Sequence, residues 1–142
     1  MAQTQKPTAL GYAETAKLMV GVTTAMAAGA SGVKSVVGLT GACTAAEAST
    51  FLNPGGATKL AANGFTLVDA DTVVSSQTTV ANDTVELDHV FTWTGTQSVS
   101  GVAVLNNDDD VVFMECCFNA ALAGETNDTL TVETKMQFKL GA

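Results

Sequence analysis

A chain of 142 residues with 46% apolar and 14% charged side chains is long enough to bury one modest core and too apolar for a disordered tail. The net charge is −8 and all six basic residues are lysines, so the chain lacks the arginine forks that grip phosphate and guanine, and direct nucleic-acid binding is not expected. The place of the missing charges is taken by Thr, Ser, Asn, Ala and Gly, which implies a folded protein with a neutral, hydroxyl-rich surface.

Taken from the start, residues 1–9 read as a polar arm, frayed or held by a neighbour. In residues 12–27, Tyr12, Ala16, Met19, Val20 and Met26 recur at roughly helical spacing and predict a helix. The apolar stretch from Leu18 to Ala30 is broken by threonines and glycines and does not make a cleaved signal. No run approaches the roughly 18 apolar residues of a membrane span. Residues 33–39 predict a strand. The order Thr44-Ala45-Ala46-Glu47 has the form of a capping box and predicts a short helix to about Phe51, stopped by Asn53-Pro54-Gly55-Gly56. Lys59 to Asn63 predict one more helical turn, with Gly64 as its cap.

From Phe65 onward strands are expected near 65–69, 72–80, 84–94, 97–106, 111–119 and 128–140. Two related phrases carry this reading, Asn82-Asp83-Thr84-Val85-Glu86-Leu87 and Asn127-Asp128-Thr129-Leu130-Thr131-Val132. Each is a polar turn followed by alternating apolar and polar residues, the mark of a strand with one buried and one wet face. The expected fold is mainly β, an antiparallel sandwich of jelly-roll or immunoglobulin-like type. A mixed segment (residues 1–64: the arm and short helices) packs on a core formed by residues 65–142, the whole making one structural domain.

The candidate chemistry is sparse. Asp108, Asp109 and Asp110, after Asn106 and Asn107, offer oxygen ligands for calcium, but without the spacing of a helix-loop-helix site they read as a solvated hairpin tip. His89 shares the parity of Leu87 and Phe91, so it points to the core or to an interface and has no evident nucleophile or acid beside it. Asp69 and Asp71 read as a turn. Cys43, Cys116 and Cys117 cannot form a clamp, because strand neighbours face opposite ways. They read as buried thiols, with a Cys43–Cys116 or Cys43–Cys117 bridge as the alternative. No catalytic set, resident metal or cofactor is expected.

The run Val111-Val112-Phe113-Met114-Glu115-Cys116-Cys117-Phe118 is apolar on both parities and predicts a strand covered on both faces, by the domain's own core and by a neighbouring subunit or loop. Glu115 in that setting needs a partner, for which Lys34, Lys59 and Lys135 are candidates. The expected contact residues are Met1, Ala2, Gln3, Thr4, Gln5, Lys6 and Tyr12 at the start of the chain, and Val111, Phe113, Glu115 and Cys117 on this strand. His89 and Trp93 are further candidates.

Val-Ala-Asn-Asp-Thr-Val (80–85), Gln-Ser-Val-Ser-Gly-Val-Ala-Val-Leu-Asn (97–106), Asp-Val-Val-Phe (110–113) and Asn-Asp-Thr-Leu-Thr-Val (127–132) give residues 65–140 a likeness to a known group. This part of the chain resembles the small β-sandwich virion proteins of tailed bacteriophages. The resemblance implies a non-enzymatic role in a particle, as a capsid decoration protein or as a tail- or fibre-associated module. It also implies a homo-oligomer, with a trimer favoured, and partners in the major capsid protein or other virion proteins. Localisation would be in the virion, after assembly in the host cytoplasm, with neither nucleic acid nor membrane as partner. A reading of another class is a carbohydrate- or calcium-binding module using Trp93 and the tip at 106–110.

Overall fold

The computed structural model describes residues 3–7, 33–50, 53–76, 84–106 and 111–137. Among the described residues, alternation and β-branched runs become nine strands: β1 (Gln3–Pro7), β2 (Val33–Thr40), β3 (Thr58–Lys59), β4 (Val68–Asp69), β5 (Thr72–Ser76), β6 (Thr84–Thr92), β7 (Gln97–Asn106), β8 (Val112–Gly124) and β9 (Thr129–Gln137). They form two antiparallel sheets. The first runs β1-β8-β7-β2-β3, with β4 also on β2, and the second runs β5-β6-β9. The chain is mainly β. The predicted helix at 12–27 lies outside the described residues.

The second sheet follows the period-two pattern closely. Leu87, His89 and Phe91 point inward from β6, while Val90 and Thr92 face water. Inward residues of both sheets share one core. Val36, Val102, Val104, Met114 and Cys116 from the first meet Leu87, Phe91 and Val132 from the second, and Phe65 and Trp93 fill the space. Phe65 stacks on Phe91 at 4.8 Å and meets Trp93 edge-on at 4.5 Å. Each such aromatic pair contributes about 1 kcal/mol beyond its burial.

The first sheet is covered on its other face as well. Val37, Leu39, Ala103, Leu105 and Val112 pack there with Ala57, against half-buried Cys43 and Leu67. The cover expected over the apolar run of β8 is therefore supplied by the chain's own segment 41–57.

Two local expectations are corrected. Residues 44–50 form no helix, because the backbone donors of that segment are used elsewhere: Thr44 N–H donates to Gly55 O at 2.8 Å, and Ala46 N–H donates to Glu115 at 2.5 Å. Residues 59–63 form no helical turn either. Lys59 pairs with Leu39 in the sheet, and the chain then reverses through Asn63 (φ 57°) and Gly64 (φ 88°), where a Cβ on Gly64 would overlap the Thr92 carbonyl. β2 is an inner strand of the first sheet, bonded to β7 on one side and to β3 and β4 on the other.

Candidate assembly surface

The predicted strand at 111–119 is longer than expected, reaching Gly124. Its outer edge carries the arm. β1 pairs antiparallel with it in the register Gln3↔Phe118, Thr4↔Cys117, Gln5↔Cys116, Lys6↔Glu115 and Pro7↔Met114. Four of the expected arm contacts, Gln3 to Lys6, thus lie on a sheet edge of this same chain. Met1, Ala2 and Tyr12 lie outside the described residues, as do Asp108, Asp109 and Asp110.

Glu115 is fully buried. Its Oε1 accepts from Ala46 N–H at 2.5 Å and from Ser49 Oγ at 2.6 Å, and Ser49 Oγ in turn accepts from Gly55 N–H at 3.0 Å. These partners replace the expected lysines: Lys34 pairs with Asp69 at 2.7 Å and Lys135 with Glu86 at 3.7 Å. Glu115 Oε2 is buried without a hydrogen bond. An acid in an apolar run signals that some partner must exist, but a hydroxyl and a backbone N–H carry no charge by which a sequence could reveal them.

Beside Glu115 the expected buried thiols are corrected. Cys43 and Cys117 form a disulfide, with Cα atoms 5.4 Å apart. The alternation of the strand explains the choice of partner. Cys117 shares the outer side with segment 41–57, whereas Cys116 faces the main core as a buried thiol outside the bridge. Gly55 seals this corner at φ 62°, where a Cβ would sit 2.9 Å from both sulfurs. Val111 is half-buried and Phe113 is buried within the chain.

His89 and Trp93 both lie inside the chain. His89 is 9% exposed, packs edge-on to Phe91 at 4.4 Å, and has Nδ1 3.1 Å from Asp71 Oδ2. Asp71 accepts from Val90 N–H at 2.8 Å, so it caps the start of β5 against β6. Trp93 is 4% exposed and its indole N–H donates to Gln97 O at 2.9 Å. A Cβ on Gly124 would overlap the indole ring, so the ring offers no open face for a sugar. A shallow groove of about 490 Å³ does open beside it, lined by Leu122, Asn127, Asp128 and Leu130 among others. The one acid in its lining, Asp128, is occupied in accepting from Glu125 N–H at 2.8 Å.

Among the described residues the exposed large apolar side chains are Val68, Val73, Val74 and Val90. Val73 and Val74 sit in β5, which among the described residues is an edge strand of the second sheet and whose sequence, Thr-Val-Val-Ser-Ser, carries no charge. The sequence reading passed over them because a strand rich in valine looks buried until its neighbours are known.

Lys34 and Asp69 form a surface clasp between β2 and β4. The Lys34 ammonium, donating to Asp69, holds that carboxyl below its ordinary pKa of 3.8, slight burial opposes it, and Ser35 Oγ adds a hydrogen bond at 3.3 Å. Because the folded pKa is depressed, this contribution is complete above the unfolded value and is lost as pH falls through the folded one. Solvent screening limits it to about 0.5 kcal/mol. Urea titrations of the protein and of Asp69→Asn should differ at pH 6 and converge near pH 2. A gap that widens with acid would contradict the assignment.

Among the described residues no three His, Cys, Asp or Glu side chains are placed to hold a metal, and no helix is long and apolar enough to cross a membrane. No family model, curated protein or solved structure matches this chain.

Proposed function

We propose that this chain is a non-enzymatic structural subunit of a tailed-phage virion that decorates and stabilises the outside of the head, with a sandwich of jelly-roll or immunoglobulin-like type as its body. The observation that carries the reading is β5: an uncharged, β-branched edge strand with Val73 and Val74 left 43% and 45% exposed. Natural sheets guard their edges with charge, proline or a bulge, and an unguarded edge marks a place for another protein. The resemblance of residues 65–140 to phage virion proteins supplies the kind of particle. The acidic balance suits a part that keeps clear of packaged nucleic acid. The partners are the major capsid protein and further copies of this chain, arranged as trimers, and many weak contacts repeated over a lattice add up to firm attachment.

Mass spectrometry of purified particles, with copy number taken relative to the major capsid protein, tests this. Hundreds of copies per particle fit decoration, and a handful would move the chain to the tail or a fibre. Its absence from particles would end the virion reading.

A further inference from the structure

We propose that the outer edge of β8, residues 114–118, is a receptor for β1 strands, and that a second copy of this chain supplies the strand. Three observations converge on it. Among the described residues β1 bonds to β8 alone, so the arm can leave without breaking any other ladder described there. The chain between β1 and β2 is far longer than its path in one copy requires. Pro7 stands on the row Pro7, Met114, Val104, Val36, three ladders or roughly 15 Å from β2, while residues 8–32 can span roughly 50 Å with the helix expected at 12–27 and up to roughly 80 Å without it. Reaching a neighbour's edge is therefore within the length of the segment, and the entropy of closing a longer loop grows only slowly with its length.

The third observation gives the edge its selectivity. Lys6 is the one charged residue among 1–10, and the register sets it directly across the ladder from Glu115. Glu115 is fully buried, is held through Oε1 by Ala46 and Ser49, and keeps Oε2 without a hydrogen bond. A buried carboxylate is costly until a cation answers it, and residues opposed in an antiparallel pair share a face. The register thus sets the arm's lysine position opposite the one acid of the sheet that is fully buried among the described residues, and a slip of one residue would undo that correspondence. Backbone pairing supplies the affinity of strand addition, and the lysine–glutamate row fixes its register.

The inference rests on the assembly reading in one respect, that copies stand side by side. Its test uses the purified chain and no particle, so either reading can fail while the other survives. The full-length Lys6→Glu chain, whose own arm now sets a like charge against Glu115, is titrated with two fluorescent peptides of residues 1–10, one of wild-type sequence and one carrying Lys6→Glu. The wild-type peptide should bind roughly tenfold more tightly, the value of one charge-assisted pair. Native mass spectrometry of the wild-type chain at rising concentration should show dimers or trimers, reduced about as strongly by Lys6→Glu. The substitution lies in the arm and leaves both packed faces of β8 intact. Equal binding of the two peptides, or a wild-type chain that stays monomeric at every concentration, overturns the proposal.

Discussion

Reducing the Cys43–Cys117 bridge is expected to cost about 4 kcal/mol of stability and roughly 10 °C in Tm. The two cysteines are 74 positions apart, so the bond removes a large closed loop's worth of freedom from the unfolded chain. It also pins segment 41–57 against the outer face of the first sheet, where Ala57 and Cys43 cover Val37, Leu39, Ala103, Leu105 and Val112. Once the segment is loose, that apolar face is open to water. Melting curves with and without a phosphine reductant, set beside a Cys43→Ser, Cys117→Ser double variant, measure the effect. An unchanged Tm in both would show that packing alone holds the segment.

Glu115→Ala should cost about 3 kcal/mol, whereas Glu115→Gln should cost about 1 kcal/mol or less. Alanine removes the acceptor shared by half-buried Ala46 N–H and buried Ser49 Oγ, leaves both donors unanswered and opens a cavity behind them. Glutamine keeps the volume and an acceptor oxygen, and it places an amide where Oε2 now has no hydrogen bond. Urea denaturation with an unchanged m-value distinguishes a loss of stability from a change in the unfolded state. The carboxylate and the disulfide fasten the same segment, so the two lesions combined should be less than additive. Full additivity would mean that each acts on a separate part of the fold.

How far the fold was legible depends on the range of the interaction that sets each element. Strand β7 falls where alternation and its flanking turns place it, at Gln97–Asn106, and the inward row of β6 is Leu87, His89, Phe91 as the rhythm demands. Those signals are local and repeat every second residue. The expected strand at 65–69 shrinks to Val68–Asp69, because Phe65 is drawn into the aromatic core while its carbonyl accepts from Gly38 N–H at 3.0 Å. The helix expected at 44–51 is lost to a carboxylate 69 positions further along the chain. Thr44 and Glu47 have the right spacing for a cap, but a fully buried acid competes for the same backbone with greater force. For the candidate surface, the sequence identified the arm and the apolar run of β8. It did not reveal that the two belong to one ladder, nor which lysine stands across from Glu115. That correspondence exists only once the register is fixed.

The double covering of β2, β7 and β8 bears on how such a chain changes over generations. A strand that is wet on one side can drift at alternate positions without penalty. A strand clothed on both sides, as Val36-Val37 and Met114-Glu115-Cys116 are, has no spare position to give up. Change is thereby channelled onto the outward row of the second sheet, through Thr72, Val74, Val90, Thr92 and Thr131, which can be rewritten while the scaffold beneath stays as it is.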